Sequence, residues 1–321
     1  MRRGSVELIE AAYSEIEDDA AWLREIACAL QRENLGVCAY TYRINEEGML
    51  RKGVVVEIDT PPGMVEAAMA RIERMPASYV RATWATIPCA TALRSGNAQT
   101  RAETKRAFET LKAYKLADIF VINGIDPTGH GVYLGTFSTQ ELALSRREQA
   151  TGSRVAAHLA AAYRLRRART EPEAILTPSG RIEHAVEAAT SATARTSLRD
   201  AALSMDRARS KRKRTNEAEA VGLWQALVSG RWTIVDRTDN DGRRYFIARK
   251  NDPDVARHHA LTRRERQVVG FAALGHSNKL IAYEMGLSVS TVAVYLSLAA
   301  EKLGVESRAA LIEAAQAFSG S

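Results

Sequence analysis

Three short helices, each marked out by its own caps, leave the last sixty or so residues of this chain little choice of fold. Thr262 and Glu265 form a capping box: the hydroxyl accepts from the amide of residue 265, and the carboxylate accepts from the amide of residue 262. The helix that begins there turns Val268, Phe271, Ala272 and Leu274 inward, and Gly275 is placed to end it in the left-handed conformation. Ser277 caps a second helix with Leu280, Ile281 and Met285 on its apolar face, Ala282 small enough for a close crossing, and Gly286 as terminator. Ser288 caps a third, in which Val292, Tyr295, Leu296, Ala299 and Leu303 share one face before Gly304. The opposite face holds Ser290, Val294, Ser297 and Glu301, and a fourth helix starts after Ser307 with Leu311 and Ile312 as packing residues. Two capped helices across a short Gly-containing turn, the second with a small and polar outer face, have the layout that places its second helix in a DNA major groove. Periodicity alone also allows a four-helix interaction domain.

The residue identities narrow that choice. The run contains Leu261, Thr262, Arg264 and Glu265, then Gly275, Ser277, Asn278, Lys279, Ile281 and Ala282, then Leu287, Thr291 and Val292. Lys302, Leu303, Gly304, Val305, Ser307 and Arg308 complete it. In this order and spacing the segment closely resembles the LuxR-type helix-turn-helix family, with Ser288 at the family's cap position. The resemblance covers about a fifth of the chain. It implies a bacterial transcription regulator rather than an enzyme, with double-stranded DNA as partner and RNA polymerase as a further one. In such a module the third helix reads bases while hydroxyl and basic groups hold phosphates. By position, Ala293, Val294 and Ser297 would face the groove, and Asn278, Lys279, Ser290, Thr291, Tyr295 and Lys302 would be phosphate candidates. A homodimer would double the phosphate contacts and match an inverted repeat. Leu311 and Ile312, or the long N-terminal helices, are its expected interface.

The chain departs from the family at Ala293, where Lys or Arg is usual, and at Tyr295, where His is common. The module is also nearly neutral, with six basic and five acidic residues over 258–321. Weak DNA binding by an isolated monomeric module, with a shallow salt dependence, is therefore expected. Ala293 and Val294 can still touch thymine methyl groups. The same departures leave an alternative, a degenerate helix-turn-helix that makes protein contacts only.

At 321 residues the chain is long enough for two or three domains. The N-terminal part reads as a long amphipathic helix (Val6, Ile9, Tyr13, Ile16, Leu23, Ile26, Leu30) followed by a hairpin of VCAYTYRI and MLRKGVVVEI. A short helix around Met64–Met75 and a helical stretch over Thr100–Leu116 come next. A second sheet signal, DIFVIN and GVYLGTFS, then precedes a long Ala- and Arg-rich helix over about Glu141–Arg169. This α+β arrangement could enclose a pocket for a small-molecule ligand, and its pattern resembles a GAF-type sensor domain. Residues 171–256 contain two further hairpins, AILTPSGRIEHA and RWTIVDRTDNDGRRYFIARK, with helical stretches SLRDAALSMDRARSKRKR and EAEAVGLWQALVSG between them. That unit resembles a small PAS-type domain or serves as a structured linker. The expected fold class is thus multidomain. An α+β sensor-like domain spans 1–170, a small α+β unit or linker 171–256, and an all-α four-helix LuxR-type domain 257–321.

Other classes find less support. The net charge of +7 sits mostly around Lys211, Arg212, Lys213 and Arg214, a run best read as a solvated helix face, with an auxiliary phosphate patch as its functional alternative. Cys28, Cys38 and Cys89 lack metal-ligand or CxxC spacing, so reduced, mostly buried thiols are expected, with no metal and no cofactor. No apolar stretch is long enough to span a membrane and no signal-peptide core is present, which places the protein in the cytoplasm. His130, His158, His184, His258 and His259 have no neighbouring nucleophile or metal pattern and read as surface or packing residues. A receiver domain is not expected, because Glu17, Asp18 and Asp19 lie in a helical pattern, and the chain lacks the GxxxxGK[ST] loop of the large ATPase regulators.

Overall fold

The computed structural model describes residues 5–31, 36–45, 47–92, 101–168, 171–212, 220–221, 227–228, 232–238, 241–250, 261–303 and 305–318. The first helical run is broken, contrary to the single helix expected, into α1 (Ser5–Ala12) and α2 (Asp19–Leu30). Distant arginines explain the break. The Ile16 and Glu17 carbonyls accept from Arg166 Nη1 and Nη2 at 2.6 and 2.9 Å, and the Tyr13 carbonyl from Arg237 Nη1 at 2.8 Å. Backbone acceptors satisfied from outside need no helical partner, and Asp18 restarts the helix by accepting from the Ala21 amide at 2.7 Å.

The next strands are β1 (Val37–Ile44), β2 (Leu50–Ile58), β3 (Cys89–Thr91), β4 (Asp118–Ile125) and β5 (His130–Ser138). They form one antiparallel sheet in the order β2-β1-β5-β4-β3. The two hairpins read from sequence therefore share a sheet rather than making two, because β5 pairs with β1 along its length. Alternation along β1 sorts the sheet's faces. Val37 and Ala39 join one core with α1, α2 and α6 (Arg146–Ala168), whereas Cys38, Tyr40 and Tyr42 join another. The second core is closed by α3 (Met64–Ile72), α4 (Ala77–Thr83) and α5 (Arg101–Ala113). A bulge between Tyr40 and Tyr42, where Thr41 Oγ1 accepts from the Val54 amide, shifts the phase of β2. Leu50 consequently lies in the second core and Val56 in the first. The helix α6 lies hard against β4: a methyl group on Gly124 would stand 2.3 Å from the Ala156 carbonyl oxygen.

A second antiparallel sheet follows, of β6 (Pro172–Leu176), β7 (Ile182–Ala185), β8 (Leu227–Val228), β9 (Trp232–Thr238) and β10 (Arg244–Lys250). Its order, β7-β6-β10-β9-β8, repeats that of the first sheet. Helix α7 (Ala192–Arg212) packs Leu198, Ala201, Ala202 and Met205 into a core continuous with that of α1, α2 and α6. Within the stretch 217–230 expected as helix, Ala220 and Val221 are helical, but Leu227 and Val228 pair with β9. Most of that stretch lies outside the described residues, as do Lys213, Arg214 and the side chains of Lys211 and Arg212.

The C-terminal module comprises α8 (Arg263–Ala273), α9 (Asn278–Met285), α10 (Val289–Leu303) and α11 (Arg308–Phe318) around its own apolar core. Gly304, the expected stop of α10, is outside the described residues. Among the described residues no single helix is long and apolar enough to cross a membrane. Cys38 and Cys89 are buried, their thiols pushed up to about 12 chiefly by burial, while Cys28 is exposed.

Candidate nucleic-acid interface and its contact with the cavity domain

The caps read from sequence hold the module's shape. Thr262 Oγ1 accepts from the Glu265 amide at 3.3 Å, and Glu265 Oε2 accepts from the Thr262 amide at 2.7 Å. Burial works against the Glu265 charge, but hydrogen bonds from Lys302 and Thr262 outweigh it and hold the carboxyl below its usual range. Ser277 caps α9 by accepting from the Leu280 amide. At the end of α9, Gly286 adopts φ 62°, and the amides of Gly286 and Leu287 donate to the Tyr283 and Ala282 carbonyls at 3.2 and 2.8 Å. Through this turn the chain bends by 106° from α9 to α10, within the range of a helix-turn-helix.

Helix α10 presents an open face. Ala293, Val294 and Ser297 are exposed, Val294 by 55%, together with Leu298 and Val289. At its N-terminus Ser288 Oγ lies 2.7 Å from both Ser290 Oγ and Thr291 Oγ1 and accepts from the Thr291 amide at 3.0 Å. Ser290 and Thr291 are thus grouped beside that face. The remaining candidates are more dispersed. Lys279 is exposed, and Asn278 Oδ1 accepts from Arg308, whose Nη2 also donates to the His276 carbonyl at 2.6 Å. The Lys302 ammonium is held by both Glu265 oxygens at 2.8 Å, and Tyr295 is half-buried against the module core. Leu311, expected to meet a second copy, is only 2% exposed and lies inside that core, with the half-buried Ile312 packed on it.

The module does not stand apart. Tyr283, on α9, reaches across to α6. His158 is fully buried there, with Nε2 2.8 Å from Tyr283 Oη and Nδ1 3.1 Å from Tyr13 Oη. Tyr283 Oη also donates to the Val221 carbonyl at 3.0 Å. That bond uses the only Tyr283 hydroxyl proton, so His158 donates from Nε2 and accepts from Tyr13 at Nδ1. One chain of hydrogen bonds therefore joins α1's end, α6, the helix-turn-helix and the middle unit. The Arg154 guanidinium carbon, 5.3 Å from the Tyr283 ring centroid, closes over it. A second contact lies next to the cavity of the first domain: a methyl group on Gly275 would touch Thr86 at 3.3 Å, and Leu274 packs on the cavity-side core. Sequence reasoning classed His158 as a packing residue, and nothing in the residue pattern pointed to Tyr283 as its partner.

Burial pushes the His158 pKa down to about 3. Between that value and the usual pKa of about 6.5, the unfolded or undocked chain binds a proton that the native chain does not. Stability is therefore complete above about pH 6.5 and falls as the pH drops, by up to about 1.4 kcal/mol per unit. Thermal melts of the full chain at pH 7 and pH 5 check this, and His158→Gln is expected to flatten the dependence. An equally steep dependence in that variant would assign the acid sensitivity elsewhere.

His130 Nδ1 lies 2.9 Å from Thr128 Oγ1 in the turn organised by Asp126, His184 is on β7, and His258 and His259 are outside the described residues.

Two capped helices at this angle, the second with its face open, define a helix-turn-helix DNA-binding protein. Residues 259–315 match the family described as bacterial regulatory proteins, luxR family. The C-terminal module is therefore a LuxR-family helix-turn-helix, and the protein is a DNA-binding transcription regulator. No curated protein matches the chain by sequence. Among solved structures it is similar to SdiA in complex with octanoyl-rac-glycerol, at 10% identity and a TM-score of 0.32, over 98% of this chain and 93% of that one. It is likewise similar to Escherichia coli SdiA, at 10% identity and a TM-score of 0.32, over 98% and 96%. So weak a likeness assigns neither topology nor ligand.

Proposed function

We propose that the protein is a one-component regulator in the cytoplasm, in which a small molecule in the N-terminal cavity controls how the C-terminal module meets DNA. In this reading 1–170 is a GAF-like sensor, 171–256 a PAS-like unit and 257–321 the reader. Ala293, Val294 and Ser297 read bases, while Asn278, Lys279, Ser290 and Thr291 contact phosphates, with Tyr295 at the edge and Lys302 joining when it leaves Glu265. A homodimer on an inverted repeat supplies the phosphate contacts that one nearly neutral module lacks, and RNA polymerase is the downstream partner.

The observation that carries the reading is the docking of α9 on α6 through His158 and Tyr283. The cavity and the reader are joined by packed elements rather than by a loose tether. The cavity lies between the first sheet and α3–α5 and is partly open to solvent. Thr83, Trp84 and Ile87 line it, and Thr86 in the same short segment lies so near the turn at Gly275 that a methyl group added there would meet it at 3.3 Å. An occupant that shifts this segment shifts the helix-turn-helix. Because α10 keeps its reading face open while docked, control acts on the module's orientation, and so on the spacing between two reading helices, rather than by covering the face.

Tyr283→Phe tests the coupling. It leaves the buried His158 Nε2–H without its acceptor and Val221 without a donor, a loss of about 1–3 kcal/mol. Amide exchange at the α9–α6 contact is expected to speed up by roughly fivefold to a hundredfold. Unchanged exchange there would remove this contact as the coupling element.

A further inference from the structure

The cavity is lined mainly by apolar side chains, including Met64, Met69, Met75, Leu111 and Phe137. Most of the polar groups on its wall are matched to one another. Asn123 Nδ2 donates to the Trp84 carbonyl at 2.6 Å, and Asn123 Oδ1 accepts from Tyr42 at 2.7 Å. Trp84 Nε1 donates to Tyr40 Oη at 2.9 Å, and Thr83 Oγ1 to the Tyr79 carbonyl at 2.7 Å.

Arg71, on α3, differs. It is the charged side chain among the described residues lining the cavity, and its Nε and Nη1 are buried without a hydrogen-bond partner. Burial lowers its pKa, opposed by the nearby Tyr79, Glu103 and Tyr133. Of these, Glu103 already accepts from Arg106 at 2.7 Å through Oε1. A guanidinium does not lose its proton to escape burial, so two unsatisfied donors in an apolar site are costly until an oxyanion meets them. Three methionines beside them form an adaptable wall suited to a slender apolar chain.

We infer that the cavity takes a single-chain amphiphile with a carboxylate head, the carboxylate seated on Arg71 and the alkyl chain among the methionines, Leu111 and Phe137. This rests on the reading of the cavity as the sensor's ligand site. The bound carboxylate supplies the acceptors that Arg71 Nε and Nη1 lack, and the chain fills the apolar remainder.

The test compares decanoate with 1-decanol, equal in chain length, by titration calorimetry on the full-length protein and on Arg71→Met and Arg71→Lys. Wild-type protein is expected to bind decanoate at least about tenfold more tightly than the alcohol, as suits a charge-assisted hydrogen bond. Arg71→Met should bring the two within about twofold while still binding 1-decanol, which shows the cavity intact, and Arg71→Lys should restore part of the preference. Equal affinity in the wild type, a preference that survives Arg71→Met, or binding of neither probe would overturn the assignment. DNA retention in the same samples separates the two levels. If 1-decanol alone binds and alters retention, the carboxylate fails and the sensor reading stands. If decanoate binds through Arg71 without altering retention, the carboxylate stands and the sensor reading fails.

Discussion

Val294→Glu in the full-length protein is expected to lower affinity for a retained genomic fragment by at least about a hundredfold, while its thermal melt stays within a degree or two of wild type. Val294 is the most exposed large apolar side chain of α10 and touches no core, so its replacement alters the reading surface and not the packing. A carboxylate there faces a polyanion without a compensating cation, since the sequence from Val289 to Glu301 contains no Lys or Arg. The same feature keeps the wild-type salt dependence shallow, with a log–log slope no steeper than about −4 for a dimer. Fluorescence anisotropy against salt measures both quantities. A loss below about threefold would mean that another surface carries the DNA.

The largest effect on stability is expected from Trp22→Ala, at about 3–5 kcal/mol, a large part of what a folded chain normally has in hand. Trp22 is fully buried in α2, donates from Nε1 to the Ala12 carbonyl at 3.0 Å, and stacks on Tyr163 with ring centroids 6.0 Å apart. The Arg166 guanidinium carbon lies 4.6 Å from its ring centroid. Its removal leaves a cavity between α1, α2 and α6, unpairs a backbone carbonyl, and loosens the arginine that terminates the α1–α2 segment. Because α6 also carries His158, the damage should reach the docking of the reader. A denaturant melt of the full chain checks this, and a loss below about 1 kcal/mol would contradict the packing described.

What could be read from sequence follows from how local each signal is. The caps at Thr262, Ser277 and Gly286 involve neighbours within a few residues, so the module's helices and their turn were legible. The hairpins of both sheets were legible for the same reason, through turn residues and alternation. The pairing of β5 with β1 was not, since it joins segments about ninety residues apart by backbone bonds that leave no mark on residue type. The break between α1 and α2 was hidden because its cause, Arg166 and Arg237, lies some 150 and 220 residues away. Leu227 and Val228 form only a two-residue strand within a run whose apolar spacing suits a helix. A pocket between sheet and helices was expected, but its lining was not legible, for another reason: each of its lining residues reads singly as ordinary core, and Arg71 reads as the polar side of a helix. Only the packing of α3 to α5 over one sheet face brings them around a common space. Leu311 was read both as a packing residue of its helix and as a contact with a second copy, and it lies in the module core, since periodicity marks an apolar stripe without saying which partner covers it.

The measurement that tests the central claim most directly is sequencing of genomic fragments retained by the purified full-length protein, beside a Thr291→Glu, Val294→Glu double variant. The account predicts enrichment of one palindromic motif by the wild type and its loss in the variant, with both proteins equally folded. Retention of the same motif by the variant, or no enrichment by the wild type at low salt with or without cell extract, would contradict the assignment of α10 as the reading helix of a sequence-specific regulator.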